Sequence, residues 1–154
     1  MATACEVPTA SFDLGDVTKL GGGDLGRHDA VLMLGLLYHL ENPIGALRAA
    51  RAHASRLCLV ETQVAPEVGG TIEWGSRRWE KQVQGGFALI DEATELSSRN
   101  MEANVTALSL VPTPTALLHA MRAVGFDRVE LLRPTAENEQ LAHGKRVMAA
   151  GWVD

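Results

Sequence analysis

Two cysteines in 154 residues leave no material for a disulfide framework. Cys5 and Cys58 stand far apart, and Cys58 falls in an apolar, strand-like run, so both read as reduced thiols. Long hydrophobic runs are also missing. The longest nearly unbroken one, Ala30 to Tyr38, spans nine residues, whereas a bilayer-crossing helix needs about twenty. No basic residue precedes Lys19 and Glu6 interrupts that stretch, so the charged start of a secretory leader is lacking and a cytoplasmic chain is expected. The five histidines, at 28, 39, 53, 119 and 143, form no closely spaced pair, so no structural metal is expected. Positive charge is not in excess either: 14 basic against 19 acidic residues give a net charge of -5, which argues against sequence-blind nucleic-acid binding. A local cluster such as Arg77, Arg78 and Lys81 still suits a phosphate.

What is present is ordinary for a globular chain, with 46% apolar and 21% charged residues and a length that suits one domain. Short apolar runs alternate with helical stretches, the pattern of parallel strands joined by crossover helices, and this predicts an α/β fold. Ser11 to Leu14 reads as a short strand entering Gly15-Asp16, followed by a flexible Gly21-Gly22-Gly23 loop. Ala30 to Leu34 has no polar alternation and reads as a central strand covered on both faces, ended by Gly35. Asn42 and Pro43 then suit the cap and first turn of a helix placing Ile44, Leu47 and Ala50 on one face. Leu57 to Val60 begins the next strand, ending at Glu61-Thr62. The right-handed crossover rule makes these two strands parallel, which gathers Tyr38, His39, Glu61 and Thr62 on one rim.

From Gln63 to Leu110 the pattern weakens, with paired glycines, two tryptophans and a short helix predicted over Asp91 to Ser98; this stretch reads as a cap or lid inserted at 63–110. Thr113 and Pro114 open a further helix that turns Leu117, Leu118, Met121 and Val124 inward and ends at Gly125. Phe126 to Leu132 and Arg146 to Trp152 read as a closing antiparallel pair.

The segment Asp29-Ala30-Val31-Leu32-Met33-Leu34-Gly35-Leu36-Leu37-Tyr38-His39-Leu40-Glu41-Asn42-Pro43 resembles the fourth-strand motif of class I S-adenosylmethionine-dependent methyltransferases. Gly15-Asp16-Val17 before it, Leu57 to Thr62 after it, and the helix to Gly125-Phe126 with its terminal hairpin extend the resemblance over most of the chain. The run from Gly35 to Pro43 resembles the branch that includes enzymes modifying the wobble uridine of transfer RNA. The resemblance implies a Rossmann-like sheet of strand order 3-2-1-4-5-7-6, with a glycine-rich donor loop after strand one and an acidic ribose ligand ending strand two. Neither feature is found here, and only ten residues precede Ser11. A single incomplete domain is therefore expected, a partial sheet without its first two strands and their helices. An apolar strand robbed of its neighbour recruits another, from the Ser11 region or a second chain, so self-association or a partner supplying the missing half is expected.

The resemblance further implies S-adenosylmethionine as cofactor and a small-molecule or RNA acceptor. Asp16 would accept the adenine amine and the Val17 backbone read the ring edge, while Gly35 and Leu36 approach the methionine part; a plain turn aspartate and a simple bend are the alternative readings. His39 is the candidate base, with Tyr38 orienting the acceptor, against a histidine merely packed between strand and helix. Glu61 ends the neighbouring strand and is a candidate acceptor contact or a polar rim residue. Trp74, Arg77, Arg78 and Trp79 alternate aromatic and cationic groups suited to stacking on a base or gripping an anion, or to packing within the lid. His28 stands before Asp29 where that family usually has an aromatic residue. A noncatalytic binding or assembly module derived from such an enzyme is the second functional reading.

Overall fold

The central sheet is built on one crossover unit. In the computed structural model of the chain, which describes residues 11–20, 25–73, 80–94, 106–133, 141 and 143–154, β1 (His28–Leu34) pairs in parallel with β2 (Ala54–Gln63) through helix α1 (Pro43–His53). Asn42 caps α1 as its residue type dictates, its Oδ1 accepting from the Gly45 N–H at 2.9 Å, with Pro43 in the first turn. β2 pairs antiparallel with β8 (Arg146–Trp152), and β8 with β7 (Arg128–Leu131), giving the order β1-β2-β8-β7. Helix α2 (Pro114–Ala123), capped by Thr113, leads into β7 through Gly125.

Both helices lie on the same side of this sheet. Met33, Cys58, Val60 and Ala149 share one face by register, and they form a single buried cluster with Leu47 and Ala50 of α1 and with Leu117, Ala120 and Met121 of α2. Two hydrogen bonds tie the helix layer to the chain after α2: Arg51 Nε donates to the Gly125 carbonyl at 2.6 Å and Arg122 Nη2 to the Val129 carbonyl at 3.1 Å. Burial pushes the Cys58 thiol up to about 12, which keeps it in the neutral, unreactive form.

The second face of β1 is uncovered, contrary to the expectation of a strand buried on both sides. Leu32 and Leu34, which alternate with the buried Met33, are 62% and 53% exposed. The reason is topological: no described helix packs on that face, and β1 is the edge of the sheet. Ser11 to Leu14 does not form the predicted strand. It is irregular, with Phe12 and Leu14 almost fully exposed, and the β1 edge recruits nothing from it. In the implied strand order such a segment would reach β1 only through two intervening strands, so with neither among the described residues it has no ladder to join.

Among the described residues from 63 to 112 there are two antiparallel strand pairs, β3 (Thr71–Glu73) with β4 (Glu80–Gln82) and β5 (Phe87–Asp91) with β6 (Leu108–Pro112). Asp91 thus ends a strand instead of opening a helix; its Oδ1 accepts from the Ala93 N–H at 2.9 Å, where a helical turn begins, and the rest of that predicted helix lies outside the described residues. The Gly21 to Gly23 loop also lies outside them. No described helix is long and apolar enough to cross a membrane.

Gly151 shows how tightly the helix layer meets the sheet. A Cβ there would stand 2.8 Å from both the Met121 methyl and the Phe126 ring. Gly151→Ala should therefore lower stability by about 2 kcal/mol through overpacking, read as a reduced urea midpoint with an unchanged slope.

Candidate functional site

The parallel crossover brings the end of β1 and the end of β2 to one rim. Gly35 turns the chain there with φ +66, a conformation glycine adopts without a side-chain penalty. Its N–H is shared between the Glu61 carbonyl at 3.1 Å and Glu61 Oε2 at 3.0 Å. Leu36 follows, and Leu37–His39 forms a single 3-10 turn closed by the His39 N–H donating to the Leu36 carbonyl at 3.0 Å. Leu37 is fully buried and anchors the turn, leaving Tyr38 and His39 half-buried beside each other with ring centroids 4.0 Å apart. β6 braces the turn from the far side, the Leu110 N–H donating to the Leu40 carbonyl at 3.0 Å.

Arg146, at the start of β8, joins these pieces. Its Nη1 pairs with Glu61 Oε1 at 2.9 Å, its Nη2 donates to the Tyr38 hydroxyl oxygen, and its guanidinium carbon lies 4.9 Å from the centre of the Tyr38 ring. The Glu61 carboxylate is thereby used on both oxygens, by Gly35 and by Arg146. It acts as a tie between three strand ends, while Tyr38 keeps its own hydroxyl proton to donate outward. Arg146 was missed from sequence as a site residue. It lies 85 residues from Glu61 and 108 from Tyr38, and only the antiparallel register of β8 on β2 unites them. The available signal was a charge opening the otherwise apolar Arg146-to-Trp152 strand while another, Glu61, lies near the end of β2.

The Asp16 turn lies along the open edge of β1: Val17 packs against the core and lines a cavity that extends along that edge from Leu36 to His28 and His53. Asp16 Oδ1 accepts from the Thr18 N–H at 3.0 Å and the Thr18 hydroxyl at 2.7 Å, and Oδ2 pairs with Lys19 at 2.9 Å. These contacts, the Thr18 hydroxyl first, hold the carboxyl down at about 2. The side chain is still 46% exposed, so lone pairs remain for a further donor. Trp74, Arg77, Arg78 and Trp79 lie outside the described residues. Glu41 is exposed at the head of α1. Among the described residues no three His, Cys, Asp or Glu side chains cluster as metal ligands.

No protein-family model matches this sequence, and no curated protein does. Solved structures do match its fold. The N-terminal domain of EvdMO1 with SAH bound is similar at a TM-score of 0.63 and 21% identity, over 92% of this chain and 53% of that one. The same domain in the presence of SAH and D-fucose gives 0.61 at 21% identity, over 91% and 53%. An S-adenosylmethionine-dependent methyltransferase from Mesorhizobium loti gives 0.52 at 17% identity, over 90% and 68%. The chain spans about half the length of the EvdMO1 domain. It has the class I methyltransferase fold in part, its β1-β2-β8-β7 order corresponding to strands 4-5-7-6 of that sheet.

Two outcomes test the rim. Arg146→Met should destabilise the chain by about 2 kcal/mol because it strands the nearly buried Glu61 carboxylate, and Glu61→Gln combined with it should cost less than the sum of the single changes; urea unfolding of the four proteins reads this. Because the Asp16 pKa is depressed on folding, the turn contacts are complete above pH 3.8 and lost as pH falls through about 2. A carboxyl-carbon NMR titration should follow that loss.

Proposed function

We propose that this chain forms one wall of an S-adenosylmethionine-dependent methyltransferase site, with the opposite wall supplied by polypeptide that pairs with the free edge of β1. The observation that supports this reading is the partial class I methyltransferase sheet itself, with Val17 and Leu36 both packed against its core and lining the open cavity along the β1 edge. Similar structures contain SAH, which supports the cofactor class. The residues present fit part of such a donor. Asp16 keeps acceptor capacity for an adenine amine, Val17 offers an apolar edge, and Gly35 with Leu36 allows close backbone approach.

When bound, the donor supplies a methyl carbon already activated by its sulfonium for in-line displacement. The protein's task is then alignment and exclusion of water. Tyr38, its oxygen held by Arg146, donates its proton to orient an acceptor oxygen or nitrogen, and His39 takes the proton that this atom gives up as it gains the methyl group. The acceptor is a small molecule or an RNA, covered by the two hairpins of residues 63–110 as a lid, where Trp74, Arg77, Arg78 and Trp79 provide stacking and anion contacts. Glu61 serves this site by fixing the rim.

The uncovered Leu32 and Leu34 favour a second reading, a noncatalytic assembly module that associates with itself or a partner through β1. Calorimetric titration separates the two. Micromolar binding of S-adenosylmethionine or its demethylated product supports the enzyme, together with loss of methyl transfer on His39→Ala in a chain completed at the β1 edge; no binding of either compound supports the module. A chain that sediments as one monomer and melts cooperatively would remove self-association from both.

A further inference from the structure

The hydrogen bonds of the rim restrict which atom can sit in front of Tyr38. A phenol has one proton to give and an oxygen that also accepts. Arg146 Nη2 donates to that oxygen, and its guanidinium carbon lies 4.9 Å from the ring centre, so the accepting side of Tyr38 is taken by a cation. A guanidinium has no acceptor to offer in return. The Tyr38 proton therefore leads away from Arg146, toward whatever the rim receives.

Charge narrows the choice. Glu61 is the carboxylate that a bound ammonium would seek, but its Oε1 is paired with Arg146 at 2.9 Å and its Oε2 accepts from the Gly35 N–H at 3.0 Å. Its side chain is only 14% exposed. A second cation placed beside Arg146 would meet a like charge whose counter-ion is already engaged. Glu41 is exposed at the head of α1, where solvent screens it, and Asp16 is held by Thr18 and Lys19.

Lone pairs separate oxygen from nitrogen. A hydroxyl oxygen carries two, so one can accept from Tyr38 while the other stays available to attack the methyl carbon. A neutral amine has a single lone pair, which the Tyr38 proton would occupy, and an ammonium has none. We propose that the acceptor is the oxygen of an uncharged alcohol or phenol and not an amine nitrogen, an inference that rests on the methyltransferase reading and narrows it. In the transfer the hydroxyl oxygen bonds to the methyl carbon as the carbon–sulfur bond of the sulfonium breaks, leaving a neutral thioether. The hydroxyl proton passes to His39, whose ring centroid is 4.0 Å from that of Tyr38.

Benzyl alcohol and benzylamine test this by binding alone. They share a ring and a size, and at neutral pH the amine is protonated, as a lysine amine is. Tyr38 is the one tyrosine in the sequence, so its ring NMR signals report the rim without ambiguity. On the full chain, benzyl alcohol should shift those signals with a dissociation constant in the millimolar range. Benzylamine should bind about tenfold more weakly, the equivalent of one hydrogen bond. In Arg146→Met the Glu61 carboxylate is released, and the preference should reverse toward benzylamine. That change also destabilises the chain, so the comparison in the unaltered protein decides. Equal affinities, a preference for benzylamine, no binding of benzyl alcohol, or an unreversed preference in folded Arg146→Met would each overturn the inference. Failure of S-adenosylmethionine to bind would instead remove the methyltransferase reading, and calorimetry detects that separately.

Discussion

The parallel ladder between β1 and β2 is the constraint from which the rest follows. Each parallel pair needs a crossover, and the right-handed crossover through α1 sends both strands out on the same rim. That directionality puts Gly35 against Glu61, with one N–H shared between a backbone carbonyl and a carboxylate. Antiparallel β8 then delivers Arg146 at its start to that same rim, because β8 runs against β2 and begins where β2 ends. The rim owes its shape to strand direction more than to local preference. A 3-10 turn of three residues could not hold Tyr38 in one place without the guanidinium beside it and the β6 brace behind it.

The same arrangement leaves the sheet one-sided. α1 and α2 share a single buried cluster, and the opposite face of β1 shows Leu32 and Leu34 to solvent. In a complete class I sheet the neighbouring strand would pair with β1, and helices would cover that face. The functional proposal and the exposed leucines therefore have a common origin in the half of the fold that these residues do not contain. The proposed association through β1 and the proposed completion of a donor site would follow from one and the same geometry.

Much of this was legible in residue order. The unbroken Ala30-to-Leu34 run, the Asn42-Pro43 cap and the Thr113-Pro114 cap are local signals, and each element formed where its chemistry placed it. The parallel pairing of the two strands expected from the crossover rule also formed. Misreadings arose where a non-local condition decided. Ser11 to Leu14 has strand-like composition but no strand to pair with, and Ala30 to Leu34 has the composition of a strand covered twice but only one cover. Arg146 escaped notice as a site residue for a related reason, since its importance lies in partners gained across the fold.

The two ends of the open sheet face differ in kind. At the β7–β8 end Arg128 lays its guanidinium 3.8 Å over the Trp152 ring, so the largest apolar side chain there is masked by a cation. At the β1 end no such shield covers the leucines. On this face of the sheet, bare apolar surface is therefore concentrated on the β1 side, at Leu32 and Leu34.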